Sequence, residues 1–532
     1  MIRRLFALFT AVSLLFALSA CSETPVSMIY YPVYEDMTSC DPQIAATDVE
    51  NLIVTNCFEG LVRVDAEGNI VPAAADSWTI SPDGRTYTFN IRPNAQWYRT
   101  VTATEEMADI LPTTFAPVVT ADDFVFALQR ALDPATGAPD AYMLYAIENA
   151  RLINEGKLDP TVLGVKALNS NQLQITLSEP QSNFLFVLTE SICMPCNRTF
   201  FEACGGRMGM SVKYMLSNGP FCLYYVSEDT FTLMNSPKYE GPHKAVPYRV
   251  FLYSNPNGEG IPQKITDDLY SAAYLTDSMF SAVTVDSSYT VTELENAMYS
   301  FVFNLNNEVL ANDNIRKAIA LSCDKQQLAT NAGKEHAATL LPSICGFTPE
   351  CSNLYDETLA QNCLQDGLKE LEKDSVELTV LTSSEYEDLI RKQMQNWQRI
   401  LGLTCIIRVE SVSETELAYY VSEGDYEIAF CPLTAASPDA LSFLMHFTAD
   451  SPDNCIFLQN ENYKNLLAAA NVASADTQQQ YIKAAADYLV DYNYIVPVFA
   501  ESAFLVQTSG VSGIYCYTNA ERVYFTNAYS DN

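Results

Sequence analysis

The residues able to perform chemistry are few. Only three histidines, His243, His336 and His446, occur in 532 residues, and they are far apart in the chain. No HExxH or GxSxG pattern brings a base or a nucleophile to a defined spacing, so a secreted peptidase is disfavoured. One close pair of thiols stands out, Cys193-Met194-Pro195-Cys196. Such a pair serves redox chemistry when it opens a helix in a thioredoxin-like unit, and zinc when a second pair or histidines follow at ligand spacing. Neither context is present, so the pair reads as structural, either bridged or as separate buried thiols. No metal or cofactor is expected.

Another cysteine carries a different chemistry. Arg3 and Arg4 precede an apolar run from Leu5 to Phe16, and small residues follow at Ala17 to Ala20. That order is the pattern of an export signal, and the run is short for a membrane span. The tetrapeptide Leu18-Ser19-Ala20-Cys21 resembles the lipobox of bacterial lipoproteins, which implies cleavage before Cys21 and a diacylglycerol on its sulfur. Residues 1–20 are therefore expected to be a signal peptide and 21–27 a lipidated tether. Buried acyl methylenes contribute about 0.8 kcal/mol each, enough for several chains to hold a soluble body at a membrane.

The formal charge is −35, and loss of residues 1–20 would remove two more arginines and no acid. Such a surface repels phosphate backbones, which excludes nucleic acid as a partner and favours solubility outside the cell. Hydrophobic residues make up 48% of the chain and mean hydropathy is near zero, which argues against disorder and against a polytopic membrane protein. The chain is too long for one core, so two or three lobes are expected. Fifteen cysteines, less Cys21, leave an even number, compatible with disulfides after export.

The elements read as a sheet-rich first half and an α/β second half. Strands are expected at 28–33, 60–65, 70–72, 78–80, 86–91, 164–168, 173–177, 221–226 and 230–234. Helices are expected over 48–58 and, capped by Thr120, over 121–132, where Phe124, Leu128 and Ala131 share one face. Further on, helices are expected at 313–321, 385–401, 462–472 and 477–491, alternating with strands at 376–382, 405–409 and 494–499. A closing sheet segment should run from there to the C-terminus.

The order of short motifs says more than any one of them. Asp41-Pro42, Cys57-Phe58-Glu59-Gly60-Leu61-Val62, Pro72 through Trp78, Asp83-Gly84, Tyr87 through Arg92 and Trp97 come first. Thr120-Ala121-Asp122-Asp123-Phe124, Gln129 through Pro134, Leu163 through Leu168, Asn218-Gly219-Pro220-Phe221 and Asn235 through Tyr239 continue the series. Phe303-Asn304, Asn314 through Ile319 and Leu401-Gly402-Leu403 complete it. This collinear series, from about residue 41 to 505, resembles the family 5 extracellular solute-binding proteins of ABC transporters, in their peptide-binding branch.

The resemblance implies an α/β fold of the periplasmic-binding-protein-like type II, a three-domain, two-lobed receptor with an interlobe cleft. Domain I would comprise 28–56, 183–259 and 496–532, domain II 57–182 and domain III 260–495. It implies a monomer, lipid-anchored at the extracytoplasmic face of the cell membrane. Peptides, or another small solute, would be captured in the closing cleft and delivered to ABC permease subunits with a cytoplasmic ATPase. A sensing or chaperone lipoprotein on the same scaffold is the alternative without transport.

In peptide-binding relatives the ligand pairs its main chain with strands of both lobes. By resemblance those edges are Ala46-Thr47-Asp48 and Pro432-Leu433-Thr434, with Asn304 and Val412 on the cleft wall. Three departures stand out. Relatives place an aspartate for the peptide's amino group where this chain has Ala436, Pro432 has no amide hydrogen to donate, and aromatic cleft positions align with Val412 and Leu433. Asp439 or Asp48 is the expected substitute carboxylate.

Overall fold

The computed structural model describes residues 27–100, 110–111, 115–350, 354–435, 437–449, 451, 454–517 and 522–531. Cys21 and Ala436 lie outside them. Strand β1 (Met28–Val33) leads into the helix Asp48–Cys57, whose capping box joins Thr47 and Glu50. Next come the hairpin β2 (Val62–Val64) and β3 (Ile70–Pro72), and then β4 (Ala75–Ile80) and β5 (Thr86–Ile91). The helix Ala121–Leu132 follows, with Phe124, Leu128 and Ala131 buried on one stripe, and then β6 (Val165–Asn169) and β7 (Gln172–Thr176). Beyond these, β8 (Phe221–Val226), β9 (Thr230–Asn235) and β10 (Arg249–Ser254) return to β1.

Eight of these strands form two four-stranded sheets, β1-β10-β9-β8 and β4-β5-β7-β6, and β2 pairs with β3 alone. One continuous core joins them, running from Ile29 and Phe89 through Leu223 and Leu252 to Phe525. This is the first lobe. Its recognisable motifs are load paths between chain segments. Arg130 holds Asp41 in a buried ion pair and donates to Gln43 at 2.7 Å, and Asn218 exchanges two hydrogen bonds with the backbone of Glu59, at 3.0 and 2.8 Å. A Cβ on Gly219 would sit 2.7 Å from the Phe58 carbonyl oxygen, so only glycine permits that approach.

The second lobe is a six-stranded mixed sheet. Its strands are β11 (Ala272–Thr276), β12 (Thr290–Phe303), β13 (Val376–Ser383), β14 (Cys405–Val412), β15 (Ile428–Thr434) and β16 (Ile495–Gln507), in the order β11-β16-β12-β15-β13-β14. Strands β13, β14 and β15 run parallel, and the others are antiparallel to their neighbours. One face packs on the helices Asp313–Leu321, Glu357–Glu370 and Glu387–Leu401, the last ended by Gly402 at φ 70°. The other face packs on Ala440–Met445, Glu461–Val472 and Ala475–Asp491. Each face therefore buries its own core, and apolar burial is the main stabilising term for both.

The chain crosses between lobes twice, after β10 and after β16. At the crossings Ser271 N–H donates to Tyr30 O at 2.8 Å and Thr508 N–H to Ser271 O at 2.9 Å. Residues 495–507 are held between β11 and β12, whereas Val511–Ser512 and Tyr529–Ser530 pair with each other beside β1. Strand β16 is longer than the apolar run 494–499 suggests, because β12 pairs with it on one side and carries the polar stretch Glu501-Ser502 along. The sequence does not announce β12: from Ala297 to Phe303 both faces are covered, so no alternation marks it as a strand.

Within the first lobe, Asp123 gives a pH test of the packing. Its carboxylate accepts from Thr120 N–H at 2.8 Å, from Asn197 at 3.1 Å and from the Trp97 indole at 3.4 Å. Burial nevertheless pushes its pKa up to about 6. The folded state then binds that proton more tightly than the unfolded chain, so this group's contribution to stability grows as pH falls from about 6 toward 4. Asp123→Asn should remove that gain. Denaturant titrations of both proteins across this range should show the difference in unfolding free energy changing with pH, and parallel profiles would contradict the assignment.

Candidate ligand cleft

The lobes meet along an edge that runs from a hinge to a rim. At the hinge, Tyr34 Oη donates to the Tyr274 carbonyl on β11. At the rim, exposed Ser182 accepts a hydrogen bond from Gln478 Nε2 at 2.9 Å, and its N–H donates to Asn471 Oδ1 at 3.3 Å. Beside it, Asn183 of the first lobe donates to Ser442 Oγ, which in turn donates to Asp439 Oδ2 at 2.8 Å. Burial raises the Asp439 pKa, while bonds from Ser442 and Asn183 pull it down.

A cavity of about 370 Å³ opens beside the rim, between residues 142–190 of the first lobe and 437–471 of the second. Tyr142, Tyr145 and Phe186 line one side, and Ser437, Met445 and Leu467 line the other. The Ser437 hydroxyl is buried without a partner among the described residues. Aromatic and apolar walls with a few polar groups are what a small-molecule site requires.

The residues singled out from the sequence fall into distinct places. Ala46 and Asp48 are exposed and Thr47 caps the helix Asp48–Cys57; none of the three lines the cavity. Asp48 lies close enough to Tyr274 of the second lobe to interact electrostatically. Thr434 is exposed at the end of β15, and Leu433 beside it is buried in the core. Val412 ends β14 half-buried against the same core. Asn304 donates to the carbonyls of Gly424 and Tyr426 at 3.0 and 2.8 Å, so its amide braces the turn before β15. Asp439 caps the helix Ala440–Met445 and is engaged at the rim.

The thiol pair proves to be part of the packing. Cys193 and Cys196 are buried and free, Cys193 Sγ donates to Val187 O at 3.2 Å, and burial holds the Cys196 thiol at about 12, too high for a reactive thiolate at neutral pH. The disulfide that their spacing allows is not formed. His243 Nε2 lies 2.9 Å from Pro72 O in the first lobe and His336 Nδ1 3.0 Å from Val498 O in the second, so these two histidines share no site.

Sequence reading missed one group at the cleft edge. Glu385 and Tyr386 follow β13, Glu414 follows β14, and Glu501 sits on β16, which shares neighbour β12 with β15. Tyr386 Oη donates to Glu501 at 3.1 Å, and Lys334 pairs with Asp277 and, at 3.7 Å, with Glu501. No local pattern links these positions, because they lie on separate elements.

Two lobes on three main sheets, joined by two crossings and enclosing a cavity at the rim, define a bilobal solute receptor of mixed α/β type. The chain belongs to the bacterial extracellular solute-binding proteins, family 5, whose middle-region model matches residues 69–455. It is similar to the dipeptide-binding protein DppE of Bacillus subtilis (strain 168), 26% identical over 553 residues, 96% of each chain. It is as similar to the probable deoxycholate-binding periplasmic protein YgiS of Escherichia coli (strain K12), 26% identical over 537 residues, 97% of this chain and 96% of that one. Among solved structures, Haemophilus influenzae OppA in complex with RPPGFSPFR superposes with a TM-score of 0.76 at 22% identity, covering 96% of this chain and 99% of that one. The protein is a solute-binding receptor, not an enzyme.

Proposed function

We propose that the protein captures oligopeptides in the interlobe cleft and delivers them to the permease of an ABC importer, held at the outer face of the cell membrane by a lipid on Cys21. The observation that carries this reading is the cavity at the rim between the lobes, lined by Tyr142, Tyr145 and Phe186 of one and Ser437, Met445 and Leu467 of the other, in a chain that aligns with DppE along nearly its whole length. Closure over a guest exchanges water for protein on most of its surface. No helix among the described residues is long and apolar enough to cross a membrane, and the anchor in this reading is the acylated cysteine alone.

A second reading keeps the receptor and changes the solute. The equal likeness to YgiS favours it, as does the absence of an aspartate at 436. Thermal unfolding with a pool of short peptides separates the two. A ligand that binds only the folded state adds RT ln(1 + [L]/Kd), so a peptide at a hundred times its Kd should stabilise by about 2.7 kcal/mol. Stabilisation by a bile acid or a sugar, with none by any peptide, would remove the peptide assignment.

A further inference from the structure

The short stretch between Cys21 and β1 limits which surface of the body can face a membrane. From Cys21 to Ser27 the chain advances six residues, about 20 Å when fully extended. A folded body of this length has a radius of gyration of about 23 Å, so on such a leash it cannot roll freely. Only the surface around Ser27 comes within reach of the headgroups. Ser27 is itself buried and fixed to the first lobe: its carbonyl accepts from Tyr248 N–H at 2.8 Å and its hydroxyl from Ser530 N–H at 2.9 Å.

What surrounds that point differs from the rest of the surface. Pro242, Lys244, Val246 and Tyr248 are exposed at alternate positions of the connection between β9 and β10. Val246 N–H donates to Thr526 O at 2.8 Å, which lays this connection against the C-terminal segment. Val246, Tyr248 and Tyr529 are 53%, 40% and 37% exposed, and the Arg249 guanidinium lies 5.2 Å from the centroid of the Tyr248 ring and 4.5 Å from that of Tyr224. The charge balance inverts here as well. Across 236–249 and 529–531 there are three cations, Lys238, Lys244 and Arg249, and two acids, Glu240 and Asp531, whereas the whole chain has 30 lysines and arginines against 65 acids.

We propose that this patch, Val246, Tyr248 and Tyr529 with Lys238, Lys244 and Arg249, rests on anionic headgroups of the membrane that holds the anchor. The inference rests on the reading in which Cys21 is lipidated and adds an orientation to it: the lipid anchors and the patch aligns. Tyrosine suits that boundary, because its ring is apolar and its hydroxyl stays wet. Basic side chains are drawn to an anionic leaflet within about 8 Å of it, while the acidic remainder of the surface is held off. Tyr34, whose hydroxyl meets the second lobe at the hinge, stands about 20 Å along an extended strand from Met28, so seating the patch leaves the lobes able to open and close.

Fluorescence quenching tests it on the full chain, lipidated at Cys21 and reconstituted into vesicles of phosphatidylcholine and phosphatidylglycerol that carry a nitroxide at headgroup level. Val246→Trp and Tyr529→Trp should each lose about half or more of the added tryptophan emission, and Leu403→Trp, at a position 75% exposed on the second lobe, should lose none. Lys238→Glu combined with Lys244→Glu should reduce the quenching of Val246→Trp about twofold or more. Equal quenching of the three tryptophan variants, or none in any of them, overturns the patch and leaves the anchor standing; absence of quenching is also the result expected of a surface reserved for the permease. Quenching that ignores both lysine reversals overturns the recognition of anionic lipid. A Cys21→Ala chain that floats with the vesicles as fully as the parent overturns the anchor, and the orientation with it.

Discussion

Arg92→Ala is expected to lower the stability of the first lobe by about 3–5 kcal/mol, the cost of breaking a buried ion pair from one side. Arg92 and Glu59 are 8% and 2% exposed, and the guanidinium holds one oxygen of the carboxylate while Tyr239 Oη donates to the other at 2.5 Å. Arg92 Nε also donates to Ala73 O at 3.2 Å, and the guanidinium stacks 5.4 Å from the Tyr239 ring centroid. Removing it leaves a carboxylate without its counter-charge in a site that already raises its pKa through burial. The variant should therefore lose less stability at acid pH, where Glu59 takes up a proton, than at neutral pH. Denaturant titration at pH 5 and pH 7 reads both effects, and a loss below about 1 kcal/mol at neutral pH would show that the pair carries little.

Trp397→Ala should cost about 3–5 kcal/mol by emptying the largest side-chain site in the second lobe. Trp397 is 1% exposed, lies edge-on to Phe301 with centroids 5.2 Å apart, and donates from Nε1 to Ile319 O at 3.0 Å. Its core involves only second-lobe residues, and the first lobe has a core of its own. Calorimetry should accordingly show the Trp397 variant displacing one unfolding transition downward and the Arg92 variant another, since multidomain chains need not unfold in a single step. If each variant moves the whole endotherm equally, the lobes unfold as one unit.

These two positions also show what a sequence makes legible. The motifs that mark the family, Asp41 with Arg130, Glu59 with Asn218, Asn304 and Arg316, turn out to be buried polar groups whose partners lie in distant segments. Arg316, 1% exposed, donates to the carbonyls of Leu310 and Ala311 at 2.7 and 3.0 Å and reaches Tyr492 O at 3.2 Å. A buried donor needs fixed acceptors, so residue type and spacing are tightly specified there and stand out in a single sequence. The same reasoning explains why Asn304, placed on the cleft wall by resemblance, spends its amide on the turn at Gly424 and Tyr426.

The cleft itself follows the opposite rule. Glu385, Glu414, Glu501 and Lys334 are exposed or half-exposed on separate elements, where local propensity constrains little and only the fold brings them together. Alternating helices and strands made the second lobe readable as α/β, and paired turns made the hairpins of the first lobe readable. Strand β12 escaped because burial on both faces erases the period that identifies a strand.

Apart from the Asp439 carboxylate, which Ser442 and Asn183 engage, the rim between the lobes is fastened by neutral side chains, those of Asn183, Ser182, Ser442, Asn471 and Gln478. Bonds between neutral groups are untouched by dissolved ions, and each adds only about 1 kcal/mol net. A clasp so made grips equally well in dilute or briny surroundings and yields to a modest pull, which suits a carrier that must surrender its load at every delivery.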